Sequence, residues 1–435
     1  MRELPGTATR CLNAGLLTAG AAIWLAGCGD SSATLQPSRP DPDLPVPVGL
    51  EIEPLVGTPT QPQTLTIETA ETSVDSFRIG FYPFVPLERS GRLLDRVYVF
   101  DDGTHGDRVA GDHVFTLDSL GVPTGEEGIG AVPVAYLDVV PEDPRDTPGG
   151  YYVKTAFRSL DPDRIPVPTI QILDEGVRAT SHVVAYTHPR AGNITEEELA
   201  ALSRSYYGWY PDDRDFLLVI HQGTFGNTSL GGAYHVRNDV GGLDLRGFHR
   251  PEYGSAGTLD MVVQIWSGVL NTPGPVDGKN CPLIHELTHR WAAFVDLIGS
   301  NDLHWRPTVT RTDSGFNVVG RCVLNDIELY LAGLLPADSV ASPLSTDGVT
   351  LDQIVARHGW RSPPFETSQK DFTLGMIALH RRPLTDVEIA FFHRVSQMLE
   401  ADNDVLGGGW FRATGGRSRM TTRLPVPAAG TAARD

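Results

Sequence analysis

The chain has 435 residues, 40% of them hydrophobic and 20% charged, a balance that fits a globular protein and excludes an intrinsically disordered one. That length suffices for two or three domains with a sizeable core. A formal net charge of −19 argues against functions that depend on clustered Lys and Arg, namely nucleic-acid binding and electrostatic adhesion to anionic lipid.

The first element is an export signal over residues 1–28. Arg2 and Arg10 precede "AGLLTAGAAIWLAGC", an apolar run too short to cross a bilayer comfortably. Its end, "LAGC" at 25–28, resembles the bacterial lipobox, with the small residues Ala26 and Gly27 directly before a cysteine. The resemblance implies cleavage before Cys28 and lipidation of that cysteine, so that the protein is membrane-attached through acyl chains but otherwise soluble. Gly29 in place of Asp implies sorting to the outer membrane or cell surface. Residues 29–48, polar and proline-rich, read as an extended tether. Cys11 leaves with the signal, so Cys281 and Cys322 are the two thiols left to an exported protein, and they are expected to pair. That bridge closes a loop of about 40 residues and stabilises by roughly 3–4 kcal/mol.

From 49 to 160, short alternating runs such as "TLTIET", "FRIGFYPF", "RVYVF" and "AVPVAYLDVV" are broken by Gly, Pro and Asp. This is the pattern of an Ig-like antiparallel β-sandwich. Within it, "DDGTHGDRVAGDHVFT" carries Asp101, Asp102, Asp107 and Asp112. Each suits a turn closed by its own carboxylate; calcium held by the four is the alternative, although their spacing is not that of an EF-hand. The stretch resembles the choice-of-anchor X domain of exported bacterial proteins.

From 165 to 425 the texture becomes mixed α/β. "NITEEELAALSRSYYGWY" (193–210) opens with a helix N-terminal signal, "DFLLVIHQ" and "LDMVVQIW" read as buried strands, and 222–258 is glycine-rich. "DFTLGMIAL" and the helix "LTDVEIAFFHRVSQMLEA" follow toward the C-terminus. Between them lies "CPLIHELTHRWAAFVDLIG" (281–299), read as one helix with Pro282 in its first turn. At about 100° per residue, His289 lies about 40° and Glu286 about 100° from His285. Leu283, Ile284, Leu287, Trp291, Phe294, Val295 and Ile298 share the opposite face, and Ala292, Ala293 and Asp296 continue the histidine strip. Histidines at i and i+4 can direct ring nitrogens at one tetrahedral zinc, with the intervening glutamate beside a water in the open position.

From "HELTHRW" onward the chain resembles the zincin metallopeptidases, although no "GxxH" follows His289 as in metzincins. The resemblance implies a multidomain α+β protein: the sandwich followed by a zincin-like domain with one catalytic zinc on His285 and His289. Glu286 would act as general base on a peptide or protein substrate. Glu328 in "NDIELYLAGLLP" is the first candidate for a third ligand, because its helix is apolar nearly all round and a buried carboxylate demands a partner. A salt bridge to Arg321 is the alternative role for Glu328, and His304 is the rival ligand. His304 and Tyr330 are also candidates to donate to a developing oxyanion. His221, His235 and His249 lack comparable spacing and read as surface or loop residues. No "GxSxG" elbow is present. A surface-anchored binding protein with an inactive zincin-like domain is the alternative function.

Overall fold

The computed structural model describes residues 45–82, 95–125, 128–140, 149–189, 194–221, 231–266, 282–292, 294–295, 309–312, 315–318, 323–341, 348–402 and 409–428. Cys28, Cys281, Asp296, His304, Arg321 and Cys322 lie outside them, as do the signal, most of the tether and therefore the expected disulfide. The protein is mixed α+β, with more sheet than helix. No helix among the described residues is long and apolar enough to cross a membrane.

The chain first builds β1 (Pro47–Glu53), β2 (Gln63–Thr69), β3 (Ser76–Tyr82), β4 (Asp95–Phe100), β5 (Val114–Leu120), β6 (Ile129–Val140) and β7 (Gly149–Leu160). They form one antiparallel sheet in the order β1–β2–β5–β4–β3–β6–β7. The segment after β1 closes on β7: the Gly57 N–H donates to Arg158 O at 2.9 Å and the Leu160 N–H to Gly57 O at 3.0 Å. Strand periodicity explains the core. In β2, Leu65 and Ile67 point inward with Phe77, Ile79, Val99 and Phe115, while Thr64 and Thr66 stay half-exposed.

Between β4 and β5 the aspartates close turns. Asp101 accepts the N–H groups of Gly111, Asp112 and His113 at 2.7, 3.1 and 2.9 Å, and Asp107 accepts those of Gly103 and Val109 at 2.7 and 3.2 Å. Asp112 and Asp102 each accept the N–H two residues on, from Val114 and Thr104. Gly103, Gly106 and Gly111 supply the left-handed conformations this path needs. Three of the four carboxylates, those of Asp101, Asp107 and Asp112, come within 4.8 Å of one another, and Asp102 is not among them.

The second part begins with β8 (Gln171–Asp174), β9 (Val177–Ala179) and β10 (Val184–Thr187), followed by α1 (Glu196–Trp209) and β11 (Phe216–His221). Next come β12 (Gly231–His235), β13 (Arg237–Asn238), β14 (Phe248–His249), β15 (Met261–Trp266) and α2 (Pro282–Thr288). The chain continues through β16 (Val309–Thr312), β17 (Gly315–Val318), α3 (Asp326–Leu331), α4 (Leu351–His358) and β18 (Phe372–His380), and ends with α5 (Asp386–Glu400), α6 (Gly409–Ala413) and β19 (Met420–Thr421). The sheet order is β12–β15–β11–β18–β10–β9–β8, with β19 beside β18. Strands β15, β11, β18 and β10 run parallel, and β12 pairs antiparallel with β15 at one edge.

A parallel centre must be covered on both faces, and β11 is buried at every residue. Leu217, Val219, Val262, Ile377 and Leu379 face α1, whose Leu199, Leu202 and Tyr206 cover them. Phe216, Leu218, Ile220, Met261, Val263, Ile265, Met376 and Ala378 face the other way, into a core shared with α2, α3, α5 and α6. Thr195 caps α1 as its sequence predicts, accepting the Glu198 N–H while Glu198 accepts that of Thr195.

The larger core also takes in Ile129 and Leu160 from the first sheet and Leu55 and Val56 from the segment after β1. A polar clamp stands beside this apolar seam. Glu388 of α5, fully buried, accepts the Leu55 N–H at 2.8 Å and both terminal nitrogens of Arg382 at 2.8 Å. Arg382 in turn pairs with Glu53 of β1. Burial alone would raise the Glu388 carboxyl, but the Arg382 hydrogen bonds and the Thr385 and Leu55 N–H groups outweigh it and hold it below the usual range.

Candidate metal centre

The site sits on α2, against the edge of the larger sheet. Leu283, Ile284 and Leu287 of α2 sink into the shared core together with Trp291 and Val295, as the apolar face requires. The α-helix is shorter than the sequence predicts. It ends at Thr288, and the following N–H groups reach back three residues: His289 to Glu286 O at 3.3 Å, Arg290 to Leu287 O at 3.2 Å and Trp291 to Thr288 O at 3.0 Å. The Thr288 hydroxyl donates to His285 O at 2.7 Å within this tightened turn.

His285, Glu286 and His289 are all buried, at 6, 2 and 5% exposure, and each offers a ligand atom within 4.8 Å of the others. The imidazoles stand edge to face with centroids 4.7 Å apart, and His289 Nε2 lies 3.8 Å from Glu286 Oε2. Glu286 rests against β12, where a Cβ built on Gly231 falls 3.0 Å from Glu286 Oε1. Only glycine lets the carboxylate come this close to the strand. Two imidazoles and a carboxylate converging in a buried spot form a donor set suited to zinc.

Glu328 and Tyr330, the other described candidates, make contacts of their own. Glu328 is buried on α3, yet its carboxylate completes a capping box: Oε2 accepts the Asn325 N–H at 2.8 Å while Asn325 Oδ1 accepts the Glu328 N–H. It is not a member of the His285–Glu286–His289 grouping. The Tyr330 hydroxyl accepts the Arg361 N–H at 3.0 Å, and Arg361 Nε donates to Leu331 O at 2.7 Å, so this tyrosine ties α3 to the loop after α4. Burial, with Arg290 nearby, pushes the Arg361 guanidinium down to about 10.

Two of the histidines expected at the surface are buried: His221 ends β11 and His235 ends β12, and only His249 is exposed. His235 belongs to the site's surroundings. Its Nε2 lies 2.9 Å from His289 O, and its ring stands edge-on to Phe294 with centroids 5.0 Å apart. Burial, aided by the charge of Arg290, pushes its imidazole down to about 3, so it is neutral at ordinary pH.

Arg290 is the other residue the sequence did not mark. It is 1% exposed, and its guanidinium meets Asp260 Oδ2 at 2.9 Å, Asn238 Oδ1 at 2.9 Å and Asp239 at 3.6 Å. Asp260 also pairs with Arg237 at 3.1 Å, so one buried carboxylate joins two arginines. Arginine at the border of an apolar helix face is the sequence signal for such a pair, though it does not name the partner.

No protein-family model matches the chain, and comparisons with curated proteins and with solved structures find no match.

Proposed function

We propose that the chain is a lipid-anchored, zinc-dependent hydrolase that cuts peptide bonds, its second part a zincin-like domain and its first an Ig-like sandwich. The observation that carries this reading is the buried convergence of His285, Glu286 and His289 beside the sheet edge. His285 and His289 would hold the metal, with Glu328 or His304 as third ligand. When bound there, zinc supplies Lewis acidity, which makes a water easier to deprotonate near neutral pH and polarises a carbonyl. Glu286 takes the proton of the attacking water and delivers it to the leaving amine. Its place against Gly231 keeps the carboxylate beside the strand rather than free to swing.

Support for a peptide as substrate comes from β12. It ends the sheet among the described residues, and an extended chain can add to a terminal strand. Glu286 touches the first residue of that strand, so a peptide added there would pass the general base. The lipobox-like "LAGC" supports anchoring at Cys28 on the outer membrane or cell surface.

The purified full chain is expected to hold about one zinc, and Glu286→Gln is expected to keep that metal while losing chelator-sensitive hydrolysis of an unstructured protein. Stoichiometric zinc without turnover of any peptide, amide or ester would overturn the hydrolase reading. Single replacements of Glu328 and His304, compared for zinc affinity, identify the third ligand.

A further inference from the structure

We infer that His235 is a positioning residue for the metal pair: from strand β12 it fixes the backbone carbonyl of His289 and so holds the second imidazole from the sheet side. The inference rests on the zinc reading above and adds to it a residue outside the HExxH motif. A carbonyl oxygen can only accept, so the 2.9 Å contact requires the proton on His235 Nε2. The other ring nitrogen, Nδ1, is then a bare acceptor, and it is buried with no hydrogen-bond partner among the described residues. His235 is 4% exposed and its ring packs on Phe294, a place that suits an apolar side chain. An imidazole here therefore sacrifices one buried acceptor to make one bond, and that bond goes to the second histidine of the pair.

The need for that bond follows from where α2 stops. The α-helix ends at Thr288, one residue short of His289, and His289, Arg290 and Trp291 bond back by three rather than four before Ala292 returns to a four-residue bond with Thr288 O. Helical geometry alone thus does not fix the second imidazole; contacts from the sheet must contribute. Arg290, clamped to Asp260 and Asn238, secures the following residue, while His235 secures the His289 peptide itself.

The test compares variants of the full chain. His235→Phe keeps the ring packing and removes both the donor and the unpartnered acceptor. His235→Gln places an amide N–H near the former Nε2, and His235→Asn places one near the former Nδ1, where it cannot reach His289 O. Zinc affinity is measured by competition with a chromophoric chelator, the visible spectrum is taken with Co(II) in place of zinc, and thermal unfolding is followed in the metal-free proteins. We expect His235→Phe to unfold within a few degrees of wild type yet bind zinc about 10–100-fold more weakly, with an altered Co(II) spectrum. We expect His235→Gln to recover affinity to within about 3-fold and His235→Asn not to recover it.

A purely structural histidine would give the opposite result, with stability falling and the metal affinity of the folded protein unchanged. Wild-type zinc binding together with unaltered affinity and spectrum in His235→Phe overturns the inference alone. Should His235→Phe fail to fold, equal zinc affinity in His235→Gln and His235→Asn overturns it in the same way. A wild type that binds no zinc overturns the metal reading, and the inference falls with it.

Discussion

Replacing Gly231 by alanine tests whether the position of Glu286 matters. The new Cβ would lie 3.0 Å from Glu286 Oε1, 3.1 Å from its Cδ and 3.1 Å from Gln264 O, all closer than the 3.4 Å at which ordinary contact begins. Gly231 lies in a strand and has no left-handed backbone, so alanine meets no conformational penalty and the conflict is steric. The Gln264 carbonyl is fixed by the β12–β15 ladder, so the side chain of Glu286 yields, by a few tenths of an ångström. Catalytic groups must be held within about 0.5 Å, and a 1 Å misplacement can cost about 100-fold. A displacement near half an ångström then lowers kcat about 10-fold, or about 1.4 kcal/mol in barrier height. The assay is chelator-sensitive hydrolysis of a labelled, unstructured protein, read beside zinc content and thermal midpoint. Gly231→Ala should keep its zinc and unfold within a few degrees of wild type, and Gly231→Val should lose more activity. A folded, zinc-loaded Gly231→Ala with wild-type kcat would refute the claim that β12 sets the place of the general base.

Three further outcomes follow from groups outside the motif. Glu388→Ala leaves Arg382 and the Leu55 N–H without their acceptor at a buried seam and should destabilise the protein by about 3–5 kcal/mol in urea unfolding; a loss below about 1 kcal/mol would contradict the clamp. His393, whose Nδ1 faces Thr180 Oγ1 and whose ring meets His182 at 4.7 Å, is pushed down from 6.5 to about 4 by burial, with His182 and Arg394 adding to it. A depressed folded pKa gives stability that is complete above about pH 6.5 and is lost as pH falls toward 4, by at most about 3 kcal/mol. Urea midpoints at pH 7.5 and 4.5 should therefore diverge less in His393→Gln than in wild type, and an equal divergence refutes this source of acid sensitivity. For the aspartate loop, Asp101→Ala should cost about 2–3 kcal/mol by leaving three backbone N–H groups unpaired, while millimolar calcium should leave the wild-type thermal midpoint unchanged. A midpoint that rises with calcium would favour ion binding over turn closure.

Features that depend on short-range rules were legible in the sequence. Thr195 followed by Glu198 announced the start of α1, and the same pattern at Thr385 and Glu388 opens α5. Alternation located the strands of the first sheet, and the unbroken apolar run of β11 marked a strand buried on both faces. The glycine-rich stretch after it carries no strand signal of its own, yet "GGAYH" forms β12, because pairing with β15 overrides the weak strand propensity of paired glycines. The grouping of His285, Glu286 and His289 was legible because helical spacing points the three to one side. The burial of Glu328 was legible from its apolar helix, whereas its capping box with Asn325, three residues earlier, is a second partner that the same spacing offers a buried carboxylate.

The contacts that hold His289 and Arg290 could not be read in this way, since His235 reaches the first and Asp260 the second through strand register across long stretches of chain. Their presence follows from a length argument. A seven-residue helix is well below the roughly 12–15 residues at which isolated helices become marginally stable, so α2 cannot hold a ligand geometry by itself. Its apolar face packs on β11 and β15, which fixes its depth; packing of Leu283 and Leu287 does not fix how the chain leaves its last turn. Directional contacts are needed for that, and those seen among the described residues include a charged one through Arg290 and Asp260 and a neutral one through His235. Both arise from the edge strand or the residues flanking β15, the same part of the sheet whose Gly231 sets the place of Glu286. The second imidazole and Glu286, the proposed general base, are therefore referenced to one rigid element. A shift of β12 as a whole should disturb metal affinity and proton transfer together, unlike Gly231→Ala, which displaces Glu286 alone, whereas a change on the buried face of α2 should lower stability first.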